Sequence, residues 1–294
     1  AMISYSFAVM GKTSQKVWDQ LEYVVLQLAD KFKGFELSIV AWSFARMKKG
    51  SKTLWSALEK QAVRVVTEDD ISVSTMILPS ITVAGYDCHK LCAHFESIIL
   101  KIPRNKLKII DLQQITWAMM KQNQGSKQFW EKMSDFVSAA AKDMTVLEIA
   151  SFILIFQLSN KGTKTLWDSL FDRMTYLVNQ YPEQIDCDVL LTYALVLNSQ
   201  GQTQIRKELD RELVKMFISK LITKKSFPQN SKKFSSHFLI FHQNQDLWDL
   251  EVEDVYISQL RNLTEYKRLL LLNGCAQIAF YIQRVSKDFV NKIF

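Results

Sequence analysis

A six-residue phrase recurs in this chain at a spacing typical of a tandem repeat. Gly-Ser-Lys-Thr-Leu-Trp covers residues 50–55, Gly-Ser-Lys-Gln-Phe-Trp covers residues 125–130, and Gly-Thr-Lys-Thr-Leu-Trp covers residues 162–167. Both end residues are scarce, because the 294 residues include only 8 Gly and 7 Trp. Six glycines are separated by 35 to 40 residues, 38 on average: Gly11, Gly50, Gly85, Gly125, Gly162 and Gly201. Together with Gly274 and Trp248 farther along, this period predicts about eight units.

The residues after each Gly predict the start of a helix, which we call helix B. Ser51, Ser126 and Thr163 follow their glycines directly, and a hydroxyl there can accept a hydrogen bond from an amide of the first helical turn. The Trp then opens an apolar series at +3 and +7, such as Leu58 and Ala62 after Trp55. These offsets keep one face of an α-helix apolar.

A second apolar stretch precedes each Gly and predicts another helix, helix A. Its best examples are Leu37–Met47, Leu112–Gln122 and Val189–Ser199, each too long for a typical strand. The Gly would then lie in the short turn between helix A and helix B, where a positive φ is often needed. Because a lone helix pair cannot bury its apolar faces, the pairs should stack. The sequence therefore predicts an all-α fold, a right-handed α-solenoid of about eight antiparallel helix pairs with a repeat of about 38 residues.

The repeat also predicts how the chain is divided. We expect a six-unit helical body over residues 1–218, a Lys-, Ser- and Asn-rich loop over residues 219–236, and two further degenerate repeats over residues 237–294. No apolar run reaches the ~18 residues that a membrane span requires. The first residues, Ala1–Phe7, have neither a charged nor an arginine-rich targeting pattern.

Nothing in the sequence predicts an enzyme, a cofactor site or a metal site. Gly11–Ser14 has only the end of a phosphate-binding loop, since that pattern needs a Gly where Ser6 stands. Cys88, His89, Cys92 and His94 lie close together, but their spacing differs from usual zinc sites, and small thiols packed in a helix explain them better. The isolated cysteines indicate a reducing compartment without structural disulfides.

The charge pattern predicts a polyanionic partner. The chain carries a formal net charge of +7 and has an isoelectric point near 9.1. Lys52, Lys127 and Lys164 each follow the capping hydroxyl, where the helix dipole disfavours a cation. One explanation is that each lysine and the adjoining amides bind a phosphate; the other is that the lysines only solubilise an exposed edge. The first explanation would add five cations from the ends of helix A and the turns: Arg46, Lys48, Lys49, Lys121 and Lys161.

An aromatic residue recurs eight positions before several of the glycines. Trp42, Trp117 and Tyr193 share this position with Tyr266, and Phe152 stands ten before its Gly. Such a row can stack on unpaired bases, which makes the first three weak candidates for RNA contacts. The competing interpretation, which the neighbouring apolar residues favour, is a core stripe between adjacent pairs.

The segment from Leu37 to Met47, followed by Gly50–Trp55, resembles the organellar helical-repeat families known as octotricopeptide, heptatricopeptide and FAST-kinase-like repeats. Their units carry a Leu and a Trp five residues apart in helix A, which Leu37/Trp42 and Leu112/Trp117 match best. The resemblance implies binding of single-stranded RNA in an organelle. Many relatives end in a small mixed α/β RAP domain, whereas the end of this chain has the pattern of another helix pair.

The sequence leaves two alternative functions. The first is a single-stranded RNA adaptor of a mitochondrion or plastid that acts in RNA stability, processing, translation or ribosome assembly. The second is a scaffold whose surface binds a protein partner in a large organellar complex. A continuous positive stripe would support RNA, and a large exposed apolar patch would support a protein.

Overall fold

The computed structural model describes residues 1–181 and residue 254, apart from the side chains of residues 72, 73, 178 and 179. This part of the chain is all-helical and contains no strand. Its helices, in chain order, are α1 (Met2–Val9), α2 (Gln15–Leu28), α3 (Gly34–Arg46), α4 (Lys52–Val65), α5 (Ile71–Ser74), α6 (Ile77–Val83), α7 (His89–Ile99), α8 (Ile109–Lys121), α9 (Lys127–Ala140), α10 (Val146–Ser159) and α11 (Lys164–Gln180). The chain divides into two compact units, residues 1–173 and 174–294, and the first unit contains α1 to α10 and the beginning of α11.

Five helix pairs succeed one another, and the predicted pattern of helix A, turn and helix B is confirmed in each. The A helices are α1, α3, α6, α8 and α10, and the B helices are α2, α4, α7, α9 and α11. Each A helix contacts the next A helix along the chain, and α2, α4, α7 and α9 contact one another in the same order. The pairs therefore build two layers, one of A helices and one of B helices.

The turn between the helices of a pair contains the repeated glycine, as predicted for Gly11, Gly50, Gly125 and Gly162. The last three have φ of +103°, +100° and +106°. Two residues earlier, Lys48, Asn123 and Asn160 also adopt a left-handed conformation, with φ of 55°, 52° and 53°. The predicted position of Gly201 lies outside the described residues.

The ends of the helices are fixed by the capping residues that the sequence indicated. The hydroxyls of Ser51, Ser126 and Thr163 each accept a hydrogen bond of 3.2 Å from an amide of the first turn of α4, α9 and α11. At two of the A helices, α3 and α8, a carboxylate acts instead, since Glu36 and Asp111 accept bonds of 3.1 and 2.9 Å from the backbone N–H groups of Lys33 and Lys108. Both kinds of cap satisfy amides that a helix leaves unpaired.

The repeated Trp is buried, as predicted, and in two pairs it packs against the next pair. Trp55, Trp130 and Trp167 are 4%, 3% and 5% exposed. Trp130 packs edge-on against Phe156 of the next pair, with ring centroids 5.6 Å apart. Trp18 contacts Phe44 in the same way at 4.9 Å. One large aromatic side chain therefore joins each of these pairs to its successor.

The third pair departs from the others, because its helix A is divided into α5 and α6. Pro79 is the third residue of α6, where its missing N–H removes no intrahelical hydrogen bond. In α7, Cys92 takes the place of the repeated Trp and is fully buried. The predicted helix at Val189–Ser199 and the segments 219–236 and 237–294 lie outside the described residues, except for residue 254.

Candidate nucleic-acid interface

The predicted lysines stand where the sequence placed them. Lys52, Lys127 and Lys164 are the first residues of α4, α9 and α11, and all three are exposed. Lys127 lies 3.7 Å from Glu131 one turn later, in an exposed ion pair. A surface pair of this kind holds its partners weakly, so the ammonium group stays available to another anion.

Five further cations occupy the ends of the A helices and the turns that come after them. Arg46 and Lys121 are the last residues of α3 and α8, and both are exposed. Lys48 and Lys161 are exposed, and Lys49 is half-buried, with its Nζ donating to Gln15 Oε1 of the preceding pair at 2.5 Å. All eight predicted cations thus lie in or beside the turns between helix A and helix B.

Hydrogen bonds show that the turns of consecutive pairs are neighbours. Besides the Lys49–Gln15 bond, the amide Nε2 of Gln122 donates to the carbonyl oxygen of Tyr86 at 2.9 Å. Tyr86 lies in the turn of the third pair, and Gln122 lies in the turn of the fourth. The turns of the first and second pairs, and those of the third and fourth pairs, are therefore adjacent.

Two of the three helix starts with a predicted lysine, those of α4 and α9, have a carboxylate beside them. Glu22 accepts from the amide of Ser51, with both oxygens at 3.2 Å, and also accepts from the Ser51 hydroxyl. Glu96 accepts from the amide of Ser126 at 3.2 and 3.3 Å. Each carboxylate comes from the preceding B helix. A negative charge thus already lies at the start of α4 and of α9, and phosphate binding by the lysines stays a prediction.

Glu59 makes a similar contact in the third pair, three residues farther into the B helix. Its carboxylate accepts from the amide of Leu91 at 3.2 Å, and Glu59 is only 8% exposed. Glu22, Glu59 and Glu96 are each the eighth residue of their B helix and are spaced 37 residues apart. This series was not predicted from the sequence, although its spacing is more regular than that of the glycines.

The aromatic position on helix A forms a row at the surface, which we call the exposed row. Counted back six residues from the left-handed residue at the end of each A helix, this row consists of Tyr5, Trp42, Pro79, Trp117 and Leu154. Tyr5 and Leu154 are each 41% exposed, and the other three are half-buried. Trp42 and Trp117 are therefore not fully buried core residues, although Trp42 lies against Tyr5 of the preceding pair, with ring centroids 5.4 Å apart. Tyr193 lies outside the described residues.

Phe152 does not belong to the row, contrary to the expectation from the sequence. It is fully buried, and Leu154, two residues later, occupies the position equivalent to Trp117. The expectation chose an aromatic residue ten positions before Gly162, whereas the eight-residue spacing of Trp42 and Trp117 from their glycines leads to Leu154. The side chain itself did not mark the position, because a leucine is equally suited to the core.

Clefts between neighbouring A helices adjoin the exposed row. A cleft of about 370 Å³ separates Trp42 and Arg46 from Pro79 and Val83. Another, of about 530 Å³, separates Trp117 and Lys121 from Leu154 and Leu158. The guanidinium of Arg46 lies 5.2 Å from the centroid of the Trp42 ring. Each cleft thus combines an indole face with a cation one helical turn away.

The cysteine and histidine cluster has a packing role. The Sγ atoms of Cys88 and Cys92 lie 4.0 Å apart and are buried. A hydrogen bond with Cys92, together with burial, raises the pKa of the Cys88 thiol. His94 Nε2 lies 2.8 Å from the carbonyl oxygen of Val66, and His89 pairs with Asp87 at 2.8 Å. Among the described residues no group of three or more His, Cys, Asp or Glu side chains is arranged to hold a metal ion.

Gly11–Ser14 forms the turn between α1 and α2. A phosphate-binding loop requires a strand before it, and here a helix stands in that place. None of the described helices is both long and apolar enough to cross a membrane.

Comparison with known proteins gives no further assignment. No protein-family model matches the chain, and no curated protein matches it.

Proposed function

We propose that the chain is an α-solenoid of about eight helix pairs that binds single-stranded RNA along its A helices. The observation that carries the proposal is the exposed row, which presents one large side chain per pair at intervals of 37 or 38 residues. Each member of the row lies six residues, less than two turns of α-helix, before the left-handed residue of the connection between helix A and helix B, where the cations are found. A chain of stacked bases with phosphates on one side has this same division between a flat apolar part and an anionic part.

The two tryptophans of the row have the features of base-stacking residues. Trp42 and Trp117 are each followed four residues later by a cation, Arg46 and Lys121. Residues four apart lie on the same helix face, so each indole has a positive charge beside it. Stacking of a base on an aromatic ring contributes about 1 to 3 kcal/mol, and a neighbouring cation can bind the adjoining phosphate.

The distribution of charge supports RNA binding on the side of the molecule that carries the exposed row. Two of the cations in the connections that lead from helix B to the next helix A are paired with acids: Lys106 lies 2.9 Å from Asp69, and Lys101 lies 3.9 Å from Glu68. In the turns between helix A and helix B, lysines outnumber acids. Glu22 and Glu96 of the adjoining B helices are engaged with backbone amides. The lysines of the turns beside the exposed row are therefore the cations that we assign to a polyanion.

We propose a binding protein and not an enzyme. The thiol of Cys88, whose pKa is raised, stays protonated and is a poor nucleophile at neutral pH. The membership in an organellar repeat family, and with it a mitochondrial or plastid location, is supported by the resemblance of Leu37–Trp55 and remains part of the proposal.

A protein partner is the second candidate, and one observation favours it. The second residue of three A helices is apolar and exposed: Phe35 at 59%, Ile110 at 51% and Leu147 at 68%. These side chains extend the apolar surface away from the cationic turns. Exposed apolar patches mark protein-binding surfaces more often than RNA-binding surfaces.

The lysines provide the first test. Replacing Lys52, Lys127 and Lys164 together by Ala should weaken binding of mixed-sequence single-stranded RNA, measured by fluorescence anisotropy across a salt series. If each lysine neutralises one phosphate, the slope of log K against log salt should shrink by about 0.7 per lysine, so by about 2 in total. Helicity should be unchanged, because all three side chains are exposed.

A matched control removes three cations from the connections that precede helix A. Lys101, Lys106 and Lys142, each replaced by Ala, change the net charge equally but should leave the slope nearly unchanged. Equal effects of the two triple variants would show that only net charge matters and would contradict the proposed path of the phosphates.

Trp42 and Trp117 provide the second test. Replacing each by Ala should lower the affinity for the same RNA by about 5- to 100-fold per residue, because one stacking contact of about 1 to 3 kcal/mol is lost. The salt slope should stay as in the unchanged chain, since no charge is removed. Phe35→Ala, on the same helix as Trp42, serves as the control and should bind RNA normally, because Phe35 is 59% exposed and lines neither cleft. Normal RNA binding by both Trp variants would contradict base stacking on the row and would favour a protein partner there.

A further inference from the structure

The first helix pair exposes a face that every later described pair buries. We number each B helix from its first residue, so that positions 3 and 7 of α2 are Val17 and Leu21. The residues at these two positions in α4, α7, α9 and α11 are fully buried: Leu54, Leu58, Leu91, Phe95, Phe129, Met133, Leu166 and Leu170. In α2, Val17 and Leu21 are only half-buried, and Val24 at position 10 is 49% exposed.

Helix α1 shows the same difference. Ile3 is 64% exposed, whereas the equivalent residues of the later A helices are fully buried: Val40, Ile77, Ile115 and Phe152. Phe7 is half-buried, although its equivalents Phe44 and Phe156 are fully buried. We call the surface made by Ile3, Phe7, Val17, Leu21 and Val24 the leading face.

In the later pairs, the preceding pair covers this surface. Trp18 packs against Phe44, and Trp130 packs against Phe156, so the repeated Trp fills the position that faces Phe7 in the first pair. At position 10 of α4, Gln61 donates to the carbonyl oxygens of Asp30 and Phe32 at 3.0 and 2.9 Å. The stripe that includes positions 3, 7 and 10 therefore faces the preceding B helix.

The preceding pair also supplies a carboxylate to the start of the next B helix. Glu22, Glu59 and Glu96 bind the amides of Ser51, Leu91 and Ser126. The equivalent helix start in the first pair is Ser14, whose side chain makes no capping hydrogen bond. One kind of contact, apolar at its centre and carboxylate-to-amide at one end, thus recurs between consecutive pairs.

We propose that the leading face is a docking surface for one more helix pair of this same repeat type. The partner would present a large apolar side chain, a Trp in most pairs of this chain, to Phe7, and a carboxylate to the first amides of α2. Continuity with the four later interfaces of the same chain supports this occupant. Val17 and Leu21 are apolar, like the buried residues at positions 3 and 7 of the later B helices. The proposal is independent of RNA binding.

The test supplies such a pair in a form that this chain itself provides. Residues 109–149, which contain α8, α9 and the first turn of α10, are fused directly before Ala1 in the full chain. In this arrangement the helix begun by residues 146–149 continues into α1, and Trp130 of the added segment should pack against Phe7 as it packs against Phe156 in its own place. The measurements are hydrogen exchange of the amides of α1 and α2 and the thermal midpoint.

If the leading face binds the added pair, hydrogen exchange of the α2 amides should slow by about ten-fold or more. These amides can then exchange only when the new interface between the pairs also opens. The thermal midpoint should rise. The same fusion with Trp130→Ala in the added copy should lose most of both gains. The double variant Leu21→Glu and Val24→Glu should abolish the gains in the fused chain while changing the midpoint of the unfused chain little, since both side chains already contact water.

Two results would overturn the proposal. One is that hydrogen exchange of the α1 and α2 amides stays unchanged in the fused chain, while the amides of the added helices exchange as fast as those of an unfolded chain. The other is self-association of the unfused chain, seen by analytical ultracentrifugation and removed by Val24→Glu, which would assign the leading face to a second copy.

Discussion

Replacing Trp130 by Ala should lower the free energy of unfolding by about 3 to 5 kcal/mol, the range for removing a large buried aromatic side chain. Trp130 is 3% exposed and contacts both Phe129 and Phe156, and its indole Nε1 donates to the Gln124 carbonyl oxygen at 3.2 Å. The substitution would therefore open a cavity between two pairs and leave a carbonyl without its donor. Urea unfolding followed by far-ultraviolet circular dichroism measures the change.

Trp117→Ala is the matched control for this experiment. It removes the same side chain from the preceding helix, but Trp117 is half-exposed and borders a cleft. Its cost should be about 1 kcal/mol. Similar losses for the two variants would contradict the assignment of Trp130 to the interface between pairs and Trp117 to the surface.

Gly125→Ala should be the second most damaging single substitution, at about 2 to 5 kcal/mol, because two causes add. A Cβ at residue 125 would lie 2.7 Å from Trp130 Nε1 and 2.8 Å from Phe129 Cδ1, and the backbone has φ +100°. The strained backbone contributes about 1 to 3 kcal/mol, and the displaced rings contribute a comparable amount. The change can be measured by the same urea unfolding experiment.

Gly85→Ala separates the two causes. Gly85 has φ +73°, and an added Cβ there would meet no atom within 4 Å. Only the left-handed conformation should then oppose the substitution, at about 1 to 2 kcal/mol. A loss at residue 85 equal to that at residue 125 would show that the close approach to the indole has no energetic consequence.

The sequence was sufficient to predict the helix pairs because their signals are local. A positive φ at Gly50, a hydroxyl cap at Ser51 and a buried Trp55 all lie within six residues, and each depends on the conformation of a single turn. These constraints recur in each pair, so a match in one pair supports the others. The prediction of Gly125 and Gly162 between helices is confirmed for that reason.

The candidate surface was harder to predict because it depends on contacts between pairs. The side on which Trp42 lies is decided by how α3 packs against α1 and α6, and not by the pattern within α3. Likewise, only the packing of α2 beside α4 brings Glu22 to the amide of Ser51. The regular 37-residue spacing of Glu22, Glu59 and Glu96 was visible in the sequence. A glutamate on a helix is usually solvated, however, so its contact could not be inferred.

Neighbouring pairs are joined by apolar contacts and also by hydrogen bonds on both sides of the stack. The Leu91 amide donates to Glu59 between B helices, and the Thr75 hydroxyl donates to Asp111 of α8 at 3.1 Å. These hydrogen bonds are directional and resist sliding of one pair past the next. The open space between neighbouring A helices is found in the clefts beside Trp42 and Trp117. A change in curvature must then widen or narrow these clefts, so whatever occupies them also sets the curvature.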